Sequence, residues 1–249
     1  MNFVYVARWH DQVLNLWRQQ QATGLSVLHL DFHCDLRGLL IDRRAQLAYG
    51  IWDRFAEPDP GNFLAHAVLQ GQVAAIRWVH DVPGGRQYDI GTVKYESDLT
   101  ALPHRLALTF GRKSGIPIRY EVTPYAEWDG LKKGEVLDID WDFFASTDYP
   151  PDSVERRAQA FLERDFPVVP QETYVTYSPE YSHPSQEQYL RFIDALAGKF
   201  RAEVVELKPE SHMATSGSAP NRTIPAPLFR LARRTYHVTN RELRKRGIY

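Results

Sequence analysis

Val27-Leu28-His29-Leu30-Asp31-Phe32-His33-Cys34-Asp35 is the stretch on which the reading of this chain turns. Residues 25–30 read as a strand, and the strand runs straight into ionisable residues. Side chains alternate along extended backbone, so His29, Asp31, His33 and Asp35 form one polar stripe while Leu28, Leu30 and Phe32 face the other way. An unpaired carboxylate at a buried strand end costs on the order of several kcal/mol. Such groups therefore need cations or must take up protons.

The pattern recurs in Val136-Leu137-Asp138-Ile139-Asp140-Trp141-Asp142-Phe143-Phe144, where three aspartates alternate with Ile139 and Trp141. Taken singly, each stretch has a bland reading: Asp140 and Asp142 cap a following helix, and His33 and Asp35 make a local turn. Two such strands in one chain favour a shared cage. Asp31, Asp35, Asp138 and Asp140 supply four negative charges, enough to balance two divalent cations, and His10 and His33 add neutral nitrogen donors. Oxygen-rich ligation of this kind suits manganese. Cys34 is the single cysteine, which excludes an intramolecular disulfide and thiolate-rich zinc sites.

Around these two stretches the periodicity predicts strands at residues 3–7, 73–80, 118–123, 135–140, 173–177 and 203–207. It predicts helices at 12–21, 63–69 after the Pro60-Gly61-Asn62 turn, 152–164 with Asp152 as N-cap, and 185–200. A turn is expected at Pro83-Gly84-Gly85 and a surface loop at 212–225. Strand–helix alternation in the second half favours an α/β fold with a largely parallel sheet and helices on both faces, in which ligands collect at the carboxyl ends of strands.

The 249 residues are expected to form a single domain, 1–249. With 43% hydrophobic and 24% charged residues the composition is that of a soluble globular protein. A formal net charge of −1 argues against nucleic acid as a partner. Lacking both a long apolar run and a basic, signal-like start, the sequence predicts no membrane partner and a cytoplasmic location.

Asp31-Phe32-His33-Cys34-Asp35 and Asp138-Ile139-Asp140 resemble the Asp-x-His-x-Asp and Asp-x-Asp motifs of the ureohydrolase superfamily, which contains arginase, agmatinase and, more distantly, histone deacetylases. His10 stands about twenty residues earlier, where that family has its remaining histidine ligand. The resemblance implies a three-layer α/β fold of arginase type and two Mn2+ ions. One ion would be held by His10, Asp31, Asp35 and Asp138, the other by His33, Asp31, Asp138 and Asp140. Tyr177-Ser178-Pro179-Glu180-Tyr181-Ser182 is similar to the branch of small peptide arginases, which turn peptidyl arginine into ornithine and urea. That likeness implies an arginine-containing precursor peptide as partner, with Glu180 holding the guanidinium and Asp35 carrying a proton. Gly61-Asn62-Phe63-Leu64-Ala65-His66 is partly similar to an arginase loop with a substrate-binding Asn and a proton-shuttling His.

Other residues have plainer readings: His29 as a packed or outer histidine, Asp142 as an outer or capping residue, Cys34 as a small buried hydrophobe and His183 as an ordinary loop histidine. The basic stretch from Arg230 to Arg246 is read as a solvated helix face or as a contact for an acidic leader peptide or a second subunit of a homo-oligomer. Two rival functions remain at this point. One is a deacetylase-like or other C–N amidohydrolase in which Tyr181 polarises an acyl oxygen; the other is a non-catalytic, metal-stabilised peptide-binding module.

Overall fold

The computed structural model describes residues 1–42, 45–50, 57–81 and 115–208. These lie in one compact unit, Met1–Pro209. The expected turn at 83–85, the loop at 212–225 and the basic C-terminal stretch fall outside the described residues.

Ten strands and five α-helices follow one another among the described residues: β1 (Asn2–Ala7), α1 (His10–Gln19), β2 (Leu25–Leu30), β3 (Leu39–Asp42), β4 (Leu47–Gly50), α2 (Phe63–Leu69), β5 (Val73–His80), β6 (Ile116–Pro117), β7 (Arg119–Pro124), β8 (Glu135–Asp140), α3 (Asp142–Ala145), α4 (Val154–Glu163), β9 (Glu172–Thr176), α5 (Gln186–Phe200) and β10 (Ala202–Glu206). Seven strands make a sheet in the order β10-β1-β9-β8-β2-β5-β7. Every pairing in it is parallel. Parallel sheets are covered on both faces, which fits the apolar Val27, Leu28 and Leu30 of β2 and Val136, Leu137 and Ile139 of β8.

The alternation read from β2 and β8 decides which layer each residue meets. Leu28, Leu30, Leu137 and Ile139 join Phe143 of α3, Phe161 of α4 and Phe192 of α5 in one core. Val27, Ile76 and Trp78 join Val13, Leu14 and Trp17 of α1 and Phe63 of α2 in the other. The result is the expected three-layer α/β arrangement, with α1 and α2 on one face of the sheet and α3–α5 on the opposite one. His29 and Asp138 point to the α1–α2 side.

Local chemistry shifted several boundaries. Helix α1 begins at His10, two residues before the periodicity suggests, because the Gln12 side chain accepts the backbone N–H groups of Arg8 and Trp9 at 2.8 and 2.9 Å. Asp152 does not cap α4; Pro151–Ser153 forms a 3-10 turn, and Ser153 precedes the helix. Ser185 precedes α5, which ends with Arg201 in the left-handed region. Strands β3, β4 and β6 form a small antiparallel sheet that sequence periodicity did not reveal. Among the described residues, no helix is long and apolar enough to cross a membrane.

Phe161 is fully buried and its ring meets those of Trp128, Phe144, Phe166 and Phe192. Truncation to Ala should cost about 3–5 kcal/mol in chemical denaturation. A cost under about 1 kcal/mol would mean that this core is not packed as described.

Candidate metal centre

The site forms where four adjacent parallel strands end. β1 stops at Ala7, and His10 opens α1 three residues later with its ring fully buried. β2 and β8 are neighbours in a register that sets His29 opposite Asp138, so both side chains leave the sheet at one level on one face. Asp31 follows the last residue of β2, and Asp140 is the last of β8. On β9, Thr176 lies opposite Asp140, and Ser178 follows two residues on.

Beyond Leu30 the chain curls rather than continuing as a strand. Asp31 accepts the His33 backbone N–H at 2.6 Å, and Asp35 adopts a φ of 52°. Ser178 has a φ of 44°, and its hydroxyl donates to Asp140 at 2.7 Å. A left-handed conformation costs a non-glycine residue about 1–2 kcal/mol, so neighbouring contacts must hold both residues there.

This curl brings Asp31 and Asp35 together but turns His33 aside. The His10 Nδ1 lies 3.0 Å from Asp35, 3.3 Å from Asp140 and 3.9 Å from Asp31, and its Nε2 lies 3.6 Å from Asp138. His33 instead sets Nδ1 at 2.9 Å from Asp142 and 3.7 Å from Asp31, at a third of full side-chain exposure. Of the residues singled out from the sequence, His10, Asp31, Asp35, Asp138 and Asp140 therefore converge directly. His33 joins them at the rim through Asp31 and Asp142.

Glu180 is outside this group, on an exposed turn after Ser178. Its neighbour Tyr181 sets its ring edge-on to His33, with centroids 5.5 Å apart. Asn62 is committed to its own loop, accepting from Asp59 N–H at 2.8 Å and donating to the Glu57 carbonyl at 3.3 Å. Phe63 stacks on His10 at 4.5 Å, fixing the imidazole plane, and His66 is buried in α2. His183 pairs with the Tyr149 carbonyl at 2.7 Å.

Two residues stand closer to the centre than their sequence reading implies. His29 is fully buried, with Nδ1 2.7 Å from Asp138 and Nε2 3.2 Å from Asp31. Asp142 is also fully buried; it accepts the Phe32 N–H at 3.2 Å and pairs with His33. The available signal for both is the alternation in sequence, since each lies two residues from a singled-out aspartate, His29 on β2 and Asp142 at the start of α3.

Electrostatics follow from five buried aspartates packed against His10, His29 and His33. Burial, together with Asp142 and the other carboxylates, pushes Asp31 well above the ordinary carboxylate range, and Asp140 rises for the same reasons. Burial would raise Asp138 too, but His10 and His29 outweigh it and hold that carboxyl at about 2. Burial opposes charging His33, yet its hydrogen bond to Asp142 and the nearby carboxylates lift it to about 9. His10 is likewise raised, by Asp138 and Asp140 against its burial.

A divalent metal fits these residues. Both ring nitrogens of His10, the Nε2 of His29 and one oxygen each of Asp31, Asp35 and Asp138 are buried and accept or donate no hydrogen bond among the described residues. Four overlapping triads, His10–His29–Asp138, His10–Asp31–Asp140, His29–Asp31–Asp35 and Asp31–His33–Asp142, bring ligand atoms within 4.8 Å of one another. Carboxylate oxygens with imidazole nitrogens are a donor set for hard or borderline cations.

No protein-family model matches the chain, and no curated protein matches it. Among solved structures, proclavaminate amidino hydrolase from Streptomyces clavuligerus is similar at 15% identity and a TM-score of 0.43, over 80% of this chain and 63% of that one. The chain thus spans less than two thirds of that protein's length.

The pKa directions set a pH dependence for the metal-free protein. A histidine raised to about 9 contributes stability that is complete below about 6.5 and is lost as pH climbs through 9; raised carboxyls act in the same direction. The chelated protein should therefore lose Tm between pH 6.5 and 9, and divalent metal should restore more Tm at pH 9 while releasing protons. A flat Tm across that window, with no proton release on loading, would contradict the cage.

Proposed function

We propose that this chain is a binuclear manganese hydrolase that converts arginine side chains of a ribosomally made peptide to ornithine with release of urea. The observation that carries the reading is the convergence of unpartnered, buried carboxylate and imidazole atoms at the carboxyl edge of a parallel sheet, where α/β proteins bind ligands. Oxygen-rich donors favour manganese. On this reading His10, Asp31, Asp35 and Asp138 would hold one ion and His33, Asp31, Asp138 and Asp140 the other. Two divalent cations bound there would make water nucleophilic near neutral pH.

The chain's own groups do the remaining work. Glu180, exposed beside Tyr181 at the rim, pairs with the guanidinium through charge-assisted hydrogen bonds and orients its carbon toward the cage. Asp35 carries a proton to the leaving amine. Ser178 keeps Asp140 oriented through its 2.7 Å hydrogen bond. An exposed Glu180 suits an arginine presented on a precursor peptide, and a cytoplasmic setting fits a peptide met soon after its synthesis.

The edge-on contact of Tyr181 with His33 favours one alternative, an amidohydrolase in which the phenol polarises an acyl oxygen. Charge separates the two: a carboxylate prefers a guanidinium, with its several donors, over a neutral amide. Glu180→Gln should keep metals and fold while losing urea release from arginine peptides by at least about tenfold, equivalent to about 1.4 kcal/mol of transition-state stabilisation. Tyr181→Phe should lose much less. The reverse ranking would move the assignment to the amidohydrolase. Asp31→Ala and Asp138→Ala should each deplete both ions by elemental analysis, and loss of a single ion would refute the shared-carboxylate scheme.

A further inference from the structure

His29 sits within the sheet, one residue before the end of β2 and level with Asp138 on β8. Its register partner on one side is Asp138 and on the other Trp78, so both flanks of the backbone are fixed by β8 and β5. The ring has no exposure and meets Phe63 at 6.1 Å and His10 at 5.7 Å. Rotation away from its present partners is blocked by this packing.

The two ring nitrogens have different surroundings. Nδ1 lies 2.7 Å from an Asp138 oxygen, and a carboxylate oxygen accepts, so the tautomer that satisfies this contact has its proton on Nδ1. In the neutral ring Nε2 then presents a lone pair. That lone pair faces carboxylate oxygens of Asp31 at 3.2 Å and Asp35 at 3.9 Å, and none of the three atoms has a hydrogen-bond partner among the described residues. Three lone-pair donors aimed at one another repel unless a proton or a cation lies between them. Histidine ligands commonly donate their second ring N–H to a carboxylate, which fixes the tautomer and orientation; Nδ1 of His29 has that partner in Asp138.

We infer that His29 is a metal ligand through Nε2, acting with Asp31 and Asp35, and that its Nδ1–H bond to Asp138 couples this ligand to the shared carboxylate. The inference rests on the metal reading above and adds a third imidazole to the donors His10 and His33. It also gives the inner end of the cage a nitrogen donor that an Asp-x-His-x-Asp motif alone does not supply.

The test is nitrogen NMR on the full chain labelled with 15N-histidine, titrated with Zn2+ as a diamagnetic probe. His29 is assigned by the signal missing from His29→Gln, a variant whose side-chain amide can still donate to Asp138. The expected result is that the wild-type Nε2 resonance of His29 moves to a metal-bound position together with that of His10, and that His29→Gln weakens Zn2+ binding at least about tenfold. A His29 Nε2 resonance that stays at its metal-free position while His10 shifts would overturn the inference and leave the metal reading intact. If no histidine shifts at saturating Zn2+, the metal reading fails and the inference fails with it. Through-bond correlation of the His29 ring nitrogens to its own backbone in wild-type protein gives the same assignment, so a poorly folded variant does not blunt the test.

Discussion

Repulsion among Asp31, Asp35, Asp138, Asp140 and Asp142 is the constraint around which this fold edge is arranged. All five are buried, within a layer where the dielectric response of water is largely lost. Three histidines offset part of that charge, and the pKa directions show the remainder: Asp31 and Asp140 are forced upward where burial and neighbouring carboxylates prevail, and Asp138 is driven down where His10 and His29 prevail. A protein that kept such a group without a cation would gain by replacing it with apolar residues of similar volume. The arrangement is intelligible as a receptor for positive charge.

Rigidity on both sides of the sheet keeps these donors in place. Beneath them the rings of Trp141, Phe143, Phe144, Phe161 and Phe192 interlock between the sheet and α3–α5. Above, Phe63 of α2 stacks on His10, and Trp78 donates its indole N–H to the Asp31 carbonyl at 3.1 Å. Lower in the sheet Arg77 is clasped by Glu135 and Asp129 and by the Gly130 carbonyl, which anchors the turn leading into β8. The donors are thus mounted on strand ends whose positions are set by the core, while Glu180 and Tyr181 occupy the more exposed rim.

Much of this was legible in the sequence where one physical signal dominated. The limits of β2, β5, β8 and α2 follow directly from apolar periodicity, because each is bounded by a turn or by a polar cluster. The start of α1 was misplaced because a single side chain, Gln12, caps the helix from inside it. Strand alternation placed His29, Asp31, His33 and Asp35 on one stripe; the curl after Leu30, marked by the positive φ of Asp35, then separated His33 from the other three. What sequence could not supply was cross-strand register. The pairing of His29 with Asp138 makes His29 part of the cage, and it depends on how β2 and β8 align across more than a hundred residues of chain.

Anomalous diffraction at the manganese edge from crystals grown with Mn2+ addresses the central claim most directly. The account predicts two anomalous peaks, both enclosed by His10, Asp31, Asp35, Asp138 and their histidine and aspartate neighbours. An edge-specific map with no peak there, and with the carboxylates sharing protons in hydrogen bonds to one another, would contradict it.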